Sequence, residues 1–379
     1  MLKAKYSLYN LNFKEPSGTS RGVLLQKETW YISIWDDINP NIVGKGECAI
    51  FRGLSFEDDP QYEKMLLWVC NNINMLMPYM HKSYLQEENE DQEDEDGILK
   101  RNSSFNNYEI QDIKQITEFF NKIKDYSSII FGVETAIRDL KNGGKGIIFP
   151  SDFTLGLGEI EINGLIWMGE KLTMQKRIED KLKNNFHCIK LKIGAIDFAS
   201  EIELIKSIRK RYSYHDIELR VDANGAFDPK NALQKLDLLS KYNLHSIEQP
   251  IKQGNWKEMS KLCSVTPLAI ALDEELIGVN NNSDKIAMLS LIKPQYIILK
   301  PALVGGYKGA KEWIKIAQKN KIKWWITSAL ESNIGLNALA QWTYTLNNPL
   351  PQGLGTGALF TNNTYSPLKL IGSKLKFIG

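Results

Sequence analysis

From Pro150 onward the sequence alternates. Short apolar runs that read as strands (Glu161 to Ile166, Ile189 to Ile193, Glu218 to Val221, His245 to Glu248, Leu268 to Leu272, Tyr296 to Leu299 and Trp324 to Ile326) are separated by helical stretches. In the stretches Phe198 to Arg211 and Lys230 to Tyr242, for example, apolar residues recur at helical intervals. That rhythm leaves few folds open, because parallel strands joined by crossover helices are covered on both faces and gather into one sheet. The simplest closed form is a (β/α) barrel. An open doubly wound sheet would announce a nucleotide through a glycine-rich turn between its first strand and helix. Gly156-Leu157-Gly158 and Gly353-Leu354-Gly355-Thr356-Gly357 lack that setting and read as loops.

The preceding residues follow another pattern. Arg21 to Trp35 carries Val23, Leu24, Trp30, Ile32 and Ile34 among polar residues, as a half-buried antiparallel strand does, and Gly44 to Cys48 closes this sheet. Ser17 to Gly22 is a turn-rich loop, either a hairpin tip or a lid whose Arg21 meets an anionic ligand. Helical spacing runs from Gln61 to about Tyr84, then from Ile110 to Ile123 and from Ile129 to Leu140, and Gly143-Gly144 ends the lobe. Between the first two helices, Glu87 to Asp96 packs eight acids into ten positions and reads as a solvated surface loop.

A net charge of +2 with no basic stripe argues against a nucleic-acid partner. Cys48, Cys70, Cys188 and Cys263 have neither disulfide nor metal-ligand spacing and read as reduced thiols. With no apolar leader at the start and no run long enough to span a bilayer, we expect a cytoplasmic location and no membrane partner.

Ionisable residues stand at strand ends. Lys190 and Lys192 lie two apart on one strand and so share a face. Asp222, Glu248 and Asp273 then end three successive strands, and Lys300 ends the next. Singly, each acid would be an ordinary helix cap and the lysine pair a solvated edge. In a parallel barrel, however, the C-terminal ends of the strands converge on one mouth. Three carboxylates gathered there repel one another unless protons or a divalent cation neutralise them, and hard oxygen ligands suit Mg²⁺, with Mn²⁺ less selectively held. A lysine beside a cation and a second lysine is pushed toward the neutral amine of a general base, and Lys190 would have that effect on Lys192. The implied chemistry is proton abstraction beside a carboxylate, the pattern of a lysine base with Mg²⁺ described for enolase-superfamily sites.

Lys190-Leu191-Lys192, Asp222-Ala223-Asn224, Glu248-Gln249-Pro250, Asp273-Glu274 and Lys300-Pro301 together resemble the motifs of the muconate-lactonizing subgroup of the enolase superfamily. Within it, Ile162 to Trp167, Pro16 to Gly22 and Ser328 to Ser332 are similar to segments of the o-succinylbenzoate synthase family. The acidic stretch Glu87 to Asp96 departs from that family's pattern. The resemblance implies a modified TIM-type (β/α)7β barrel over 146–357. It further implies an α+β capping domain over 1–145, with residues from about 358 to 379 packing back on the cap. It implies a Mg²⁺-dependent syn dehydration of 2-succinyl-6-hydroxy-2,4-cyclohexadiene-1-carboxylate in menaquinone biosynthesis. Lys192 would be the acid/base and Lys300 a cationic stabiliser, and Asp222, Glu248 and Asp273 would hold the metal. Lys190 and Asn224 would support them, and Arg21, Ser328 and Thr356 would meet the succinyl carboxylate.

The same five principal residues would serve an N-acylamino acid racemase or dipeptide epimerase, with both lysines as bases. Gly355-Thr356-Gly357 lacks the paired aspartates with which such enzymes grip an ammonium. Muconate cycloisomerisation ranks lower, as does a non-catalytic barrel, which would usually have lost one of the five.

Overall fold

The structure is a computed structural model that describes residues 1–19, 22–81, 107–167 and 169–379. Arg21 and the acidic stretch Glu87 to Asp96 lie outside the described residues.

The N-terminal lobe is an antiparallel sheet of β1 (Leu2–Thr19), β2 (Gly22–Asp36) and β3 (Val43–Cys48), in that order. Alternation along β2 puts Trp30, Ile32 and Ile34 on the face that packs against α1 (Tyr62–Asn72), α2 (Met77–His81), α3 (Asn107–Lys122) and α4 (Ser127–Lys141). Helix α4 is buried along almost its whole length because it lies between this sheet and the rest of the chain. Its approach to β3 requires glycine on both sides, since a Cβ at Gly46 would sit 1.9 Å from the Gly132 carbonyl oxygen. Glu134 on α4 accepts from the Tyr307 amide at 2.6 Å and so ties the lobe to the C-terminal half of the chain.

A short strand β4 (Glu159–Glu161) precedes seven parallel strands. These are β5 (Gly164–Ile166), β6 (Cys188–Lys192), β7 (Glu218–Asp222), β8 (Ser246–Glu248), β9 (Ile270–Leu272), β10 (Tyr296–Leu299) and β11 (Lys323–Ile326), neighbours in sequence order. Each is followed by one helix: α5 (Lys171–Lys183), α6 (Phe198–Arg211), α7 (Pro229–Ser240), α8 (Trp256–Val265), α9 (Asn282–Ile292), α10 (Gly306–Lys319) and α11 (Asn333–Thr345). Asp197, Asp228 and Ser332 cap α6, α7 and α11 through their side chains.

Single parallel bridges, Ile162 to Gln352 and Thr327 to Gly353, join the two edges through residues 352–353, which act as the eighth strand. The fold is therefore the (β/α)7β barrel expected. Gly353 is needed at the seam, where a Cβ would fall 1.5 Å from the Thr327 hydroxyl. Beyond it, residues 359 and 361 exchange backbone hydrogen bonds with Lys14 and Asn12 of β1. The hairpin of β12 (Leu368–Ile371) and β13 (Lys374–Phe377) pairs with β4. Among the described residues no helix is long and apolar enough to cross a membrane.

The main core lies between strands and helices, whereas the barrel interior holds a small apolar layer of Ala271, Ile298 and Trp325. The Arg220 guanidinium stacks on Trp325 with its carbon 4.2 Å from the ring centroid. Trp324 and Trp325 stand on the strand that leads to the mouth, yet neither walls the pocket there, because Trp325 faces inward two residues below Thr327 and Trp324 faces the helices.

His245, at the base of the barrel between Ser246 and the ring of Tyr296, is held neutral by burial, its pKa lowered to about 4. The unfolded chain takes up this proton near pH 6.5 and the folded chain only near pH 4, so stability falls as pH drops through that window. The loss reaches about 3 kcal/mol at most. Chemical denaturation between pH 7 and pH 4 should show a flatter profile for His245→Gln than for the parent.

Candidate active site

The strand register places the site. Lys192, Asp222 and Glu248 are consecutive partners across β6, β7 and β8, so they lie at one level of the mouth. Asp273 and Lys300 follow the last residues of β9 and β10. Strands β6 and β10 are four apart in a barrel of eight, so Lys192 and Lys300 face each other across the opening. The three carboxylates fill the arc between them.

All six charged side chains are largely buried and interlocked. The Lys190 ammonium lies 3.1 Å from Asp222 Oδ2 and contacts Glu248, and Lys192 reaches Asp222 Oδ2 at 2.9 Å. Lys300 pairs with Asp273. Lys192 also donates to Asn224 Oδ1 at 2.6 Å, and Asn224 Nδ2 donates to Glu274 at 3.0 Å. Asn224 has a φ of 44° in the turn after β7, a left-handed position that asparagine tolerates. The mutual repulsion expected of Lys190 and Lys192 is absorbed by Asp222, which both contact.

Burial alone would lower the pKa of Lys190, but Asp222, Glu248 and Asp273 outweigh it and hold the group above the ordinary lysine range. Lys300 is likewise raised, with Asp273, Glu274 and Glu248 overcoming its burial. For Asp222, Lys190 and Lys192 more than reverse the effect of burial and keep the carboxyl well below its usual range. Glu248 goes the other way: burial and the neighbouring Asp222 raise it well above the ordinary value, and its Oε1 accepts no hydrogen bond.

Among the described residues no three acidic, imidazole or thiol groups converge closely enough to enclose a cation, because the lysine ammoniums sit between the carboxylates. The donor chemistry nonetheless suits a hard divalent ion: three buried carboxylates on adjacent strands, with Glu248 Oε1 unpartnered. A divalent ion would therefore add positive charge beside Lys190 and Lys300, which suits an anionic ligand.

The opposite arc is formed by β11, the 352–353 strand and β5. There Ser328 Oγ and Thr356 Oγ1 lie 2.7 Å apart, both lining the cavity that Lys190, Lys192, Asp222 and Lys300 also line. Its walls are apolar: Leu165, Trp167, Leu303 and Leu330 from the barrel, Phe51 and Leu54 from the loop after β3. The Lys192 ammonium stands 5.7 Å from the Trp167 ring centroid.

Gln249 is the residue that sequence reasoning missed. Buried, with a φ of 38°, it accepts from the Asp273 amide at 3.2 Å and the Glu275 amide at 3.3 Å, and donates to Glu275 Oε2 at 2.9 Å. It thereby fixes the ends of β8 and β9 relative to each other. Its place directly after Glu248 was the sole signal. Phe51 and Leu54 had none, since their role depends on how the lobe docks.

Comparison with known proteins agrees with this geometry. The family described as "Enolase C-terminal domain-like" matches residues 173–365. The o-succinylbenzoate synthase of Desulfotalea psychrophila is 45% identical over 99% of this chain and 98% of its own. The crystal structure of MenC from Desulfotalea psychrophila LSv54 superposes with a TM-score of 0.82 at 41% identity, covering 99% of each chain. A dipeptide epimerase from Enterococcus faecalis V583 shares the fold at a TM-score of 0.76 but only 18% identity, over 100% of this chain and 97% of that one. The chain belongs to the enolase superfamily, within its o-succinylbenzoate synthase family.

Proposed function

We propose that this protein is a dehydratase that converts 2-succinyl-6-hydroxy-2,4-cyclohexadiene-1-carboxylate to o-succinylbenzoate in menaquinone biosynthesis. The observation that carries this reading is the 45% identity to an o-succinylbenzoate synthase over nearly the full length of both chains. The substrate enters with its ring carboxylate toward the arc of Asp222, Glu248 and Asp273 and its succinyl arm toward Ser328 and Thr356. Asp222, Glu248 and Asp273 would hold Mg²⁺, or Mn²⁺ in its place, which would supply Lewis-acid stabilisation of the charge that develops on the ring carboxylate.

Lys192, as the neutral amine, takes the proton from the ring carbon that bears the carboxylate, and the electron pair moves into an enediolate. Lys300, across the mouth and kept cationic by its acidic neighbours, stabilises that negative charge. The pair then returns to the ring, the neighbouring C–O bond breaks, and the Lys192 ammonium gives its proton to the departing hydroxyl. Water leaves and the ring is aromatic. One acid/base suffices because both transfers occur on the same face. Asn224 orients Lys192 through its hydrogen bond. Epimerisation would need a group to hold a substrate ammonium, and Gly355-Thr356-Gly357 offers no carboxylate.

The test is loss of diene absorbance by the purified protein with Mg²⁺ and again with a chelator. Rapid, metal-dependent loss supports the assignment, and no turnover sinks it. For the arm contacts, Ser328→Ala should raise KM about 5- to 10-fold with kcat little changed, the mark of a uniform binding contact.

A further inference from the structure

Leu330 lines the pocket with a backbone φ of 61°. The left-handed region is strained for a non-glycine residue, so something must hold the wall in place. The bonds that do so surround it. The Ser328 amide donates to Gly353 O at 3.0 Å, and the Ala329 amide donates to Glu331 Oε2 at 2.7 Å. The Ser332 amide and hydroxyl donate to Glu47 at 2.8 and 2.6 Å, and the Gly335 amide at 2.9 Å. Glu47 stands on β3 and takes a further bond from Thr29 of β2 at 2.8 Å. The N-terminal lobe thus grips the far end of the wall.

Glu331 is fully buried beside Glu47, and its Oε1 accepts no hydrogen bond. Lys27 of β2 is buried as well, its Nζ has no hydrogen-bond partner, and burial lowers its pKa despite the attraction of both carboxylates. Two acids and a lysine buried between two lobes add little stability over apolar packing, whereas such groups can favour one arrangement of the parts that bury them.

We propose that Glu331, backed by Glu47 and Lys27 of the N-terminal lobe, is a positioning residue that holds the Ser328–Leu330 wall against the substrate's succinyl arm, so that docking of the lobe sets substrate affinity. The substrate in this statement rests on the dehydratase reading, whereas the grip on the wall does not.

Two measurements on the full chain separate them. Hydrogen exchange of residues 328–332 without substrate reads the grip: Glu331→Ala should speed it, while Glu331→Gln, which keeps an acceptor for the Ala329 amide, should restore it. Steady-state kinetics read the consequence: Glu331→Ala should raise KM about tenfold with kcat within about threefold, with rescue by Glu331→Gln. Lys27→Met, which fills similar space, should also raise KM and spare kcat, and it serves if Glu331→Ala does not fold. Unchanged exchange and KM in Glu331→Ala, an equal loss of kcat, or a Lys27→Met enzyme with parental KM would overturn the proposal. An inactive parent whose Glu331→Ala exchange still rises would overturn the dehydratase reading alone.

Discussion

Lys192→Ala should lower kcat by about 10⁴-fold or more while leaving the protein folded. A single positioned acid/base contributes about 10²- to 10⁴-fold to a rate, and here the same amine performs both proton transfers. The fold should survive because Asp222 keeps Lys190 as a partner at 3.1 Å, so no buried carboxylate is left alone. Diene turnover and a thermal melt on the same preparation check both halves. A small amine such as methylamine, added to the variant, should recover part of the rate through the vacated space. Wild-type turnover by Lys192→Ala would remove this residue from the mechanism. Lys300→Ala should differ in kind, since it leaves Asp273 without its ion-pair partner and should cost stability as well as rate.

Glu248→Gln should separate stability from activity. In the metal-free protein, burial and the neighbouring Asp222 oppose the charge on Glu248. An amide of the same shape removes that charge, so in chelator the variant should melt at or above the parental temperature. Mg²⁺ should stabilise the parent by about 2.7 kcal/mol at a hundredfold excess over its Kd, and the variant much less. Turnover should fall by at least about 10³-fold, as expected when a charged stabiliser of the transition state is lost. A Glu248→Gln protein that keeps both its Mg²⁺-dependent melting shift and its turnover would show that Glu248 is not a metal ligand.

Much of the barrel was legible because its signals are local. Strand ends at Asp222, Glu248, Asp273 and Lys300 were read from the apolar runs before them, and the structure places each within a residue of a strand terminus. The alternation of Lys190 and Lys192 was equally local, and both side chains do face the barrel interior. Trp324 and Trp325 mark the limit of such local signals. Period two says that one of them faces inward, but depth along the barrel axis depends on strand stagger, and that put Trp325 below the mouth.

The sequence by itself determined the parallel strand–helix architecture, the antiparallel lobe before it and the inventory of six charged groups, since each arises from periodicity and strand position. Tertiary structure alone decided how those groups pair. It set Lys192 opposite Lys300 by closing the barrel through residues 352–353, brought Phe51 and Leu54 over the mouth, and passed the Glu47 grip from the lobe to the Ser328–Leu330 wall. Such contacts join residues far apart in the chain, 288 positions in the case of Glu47 and Gly335. No local pattern encodes them, because their energy exists only once both lobes have folded and met.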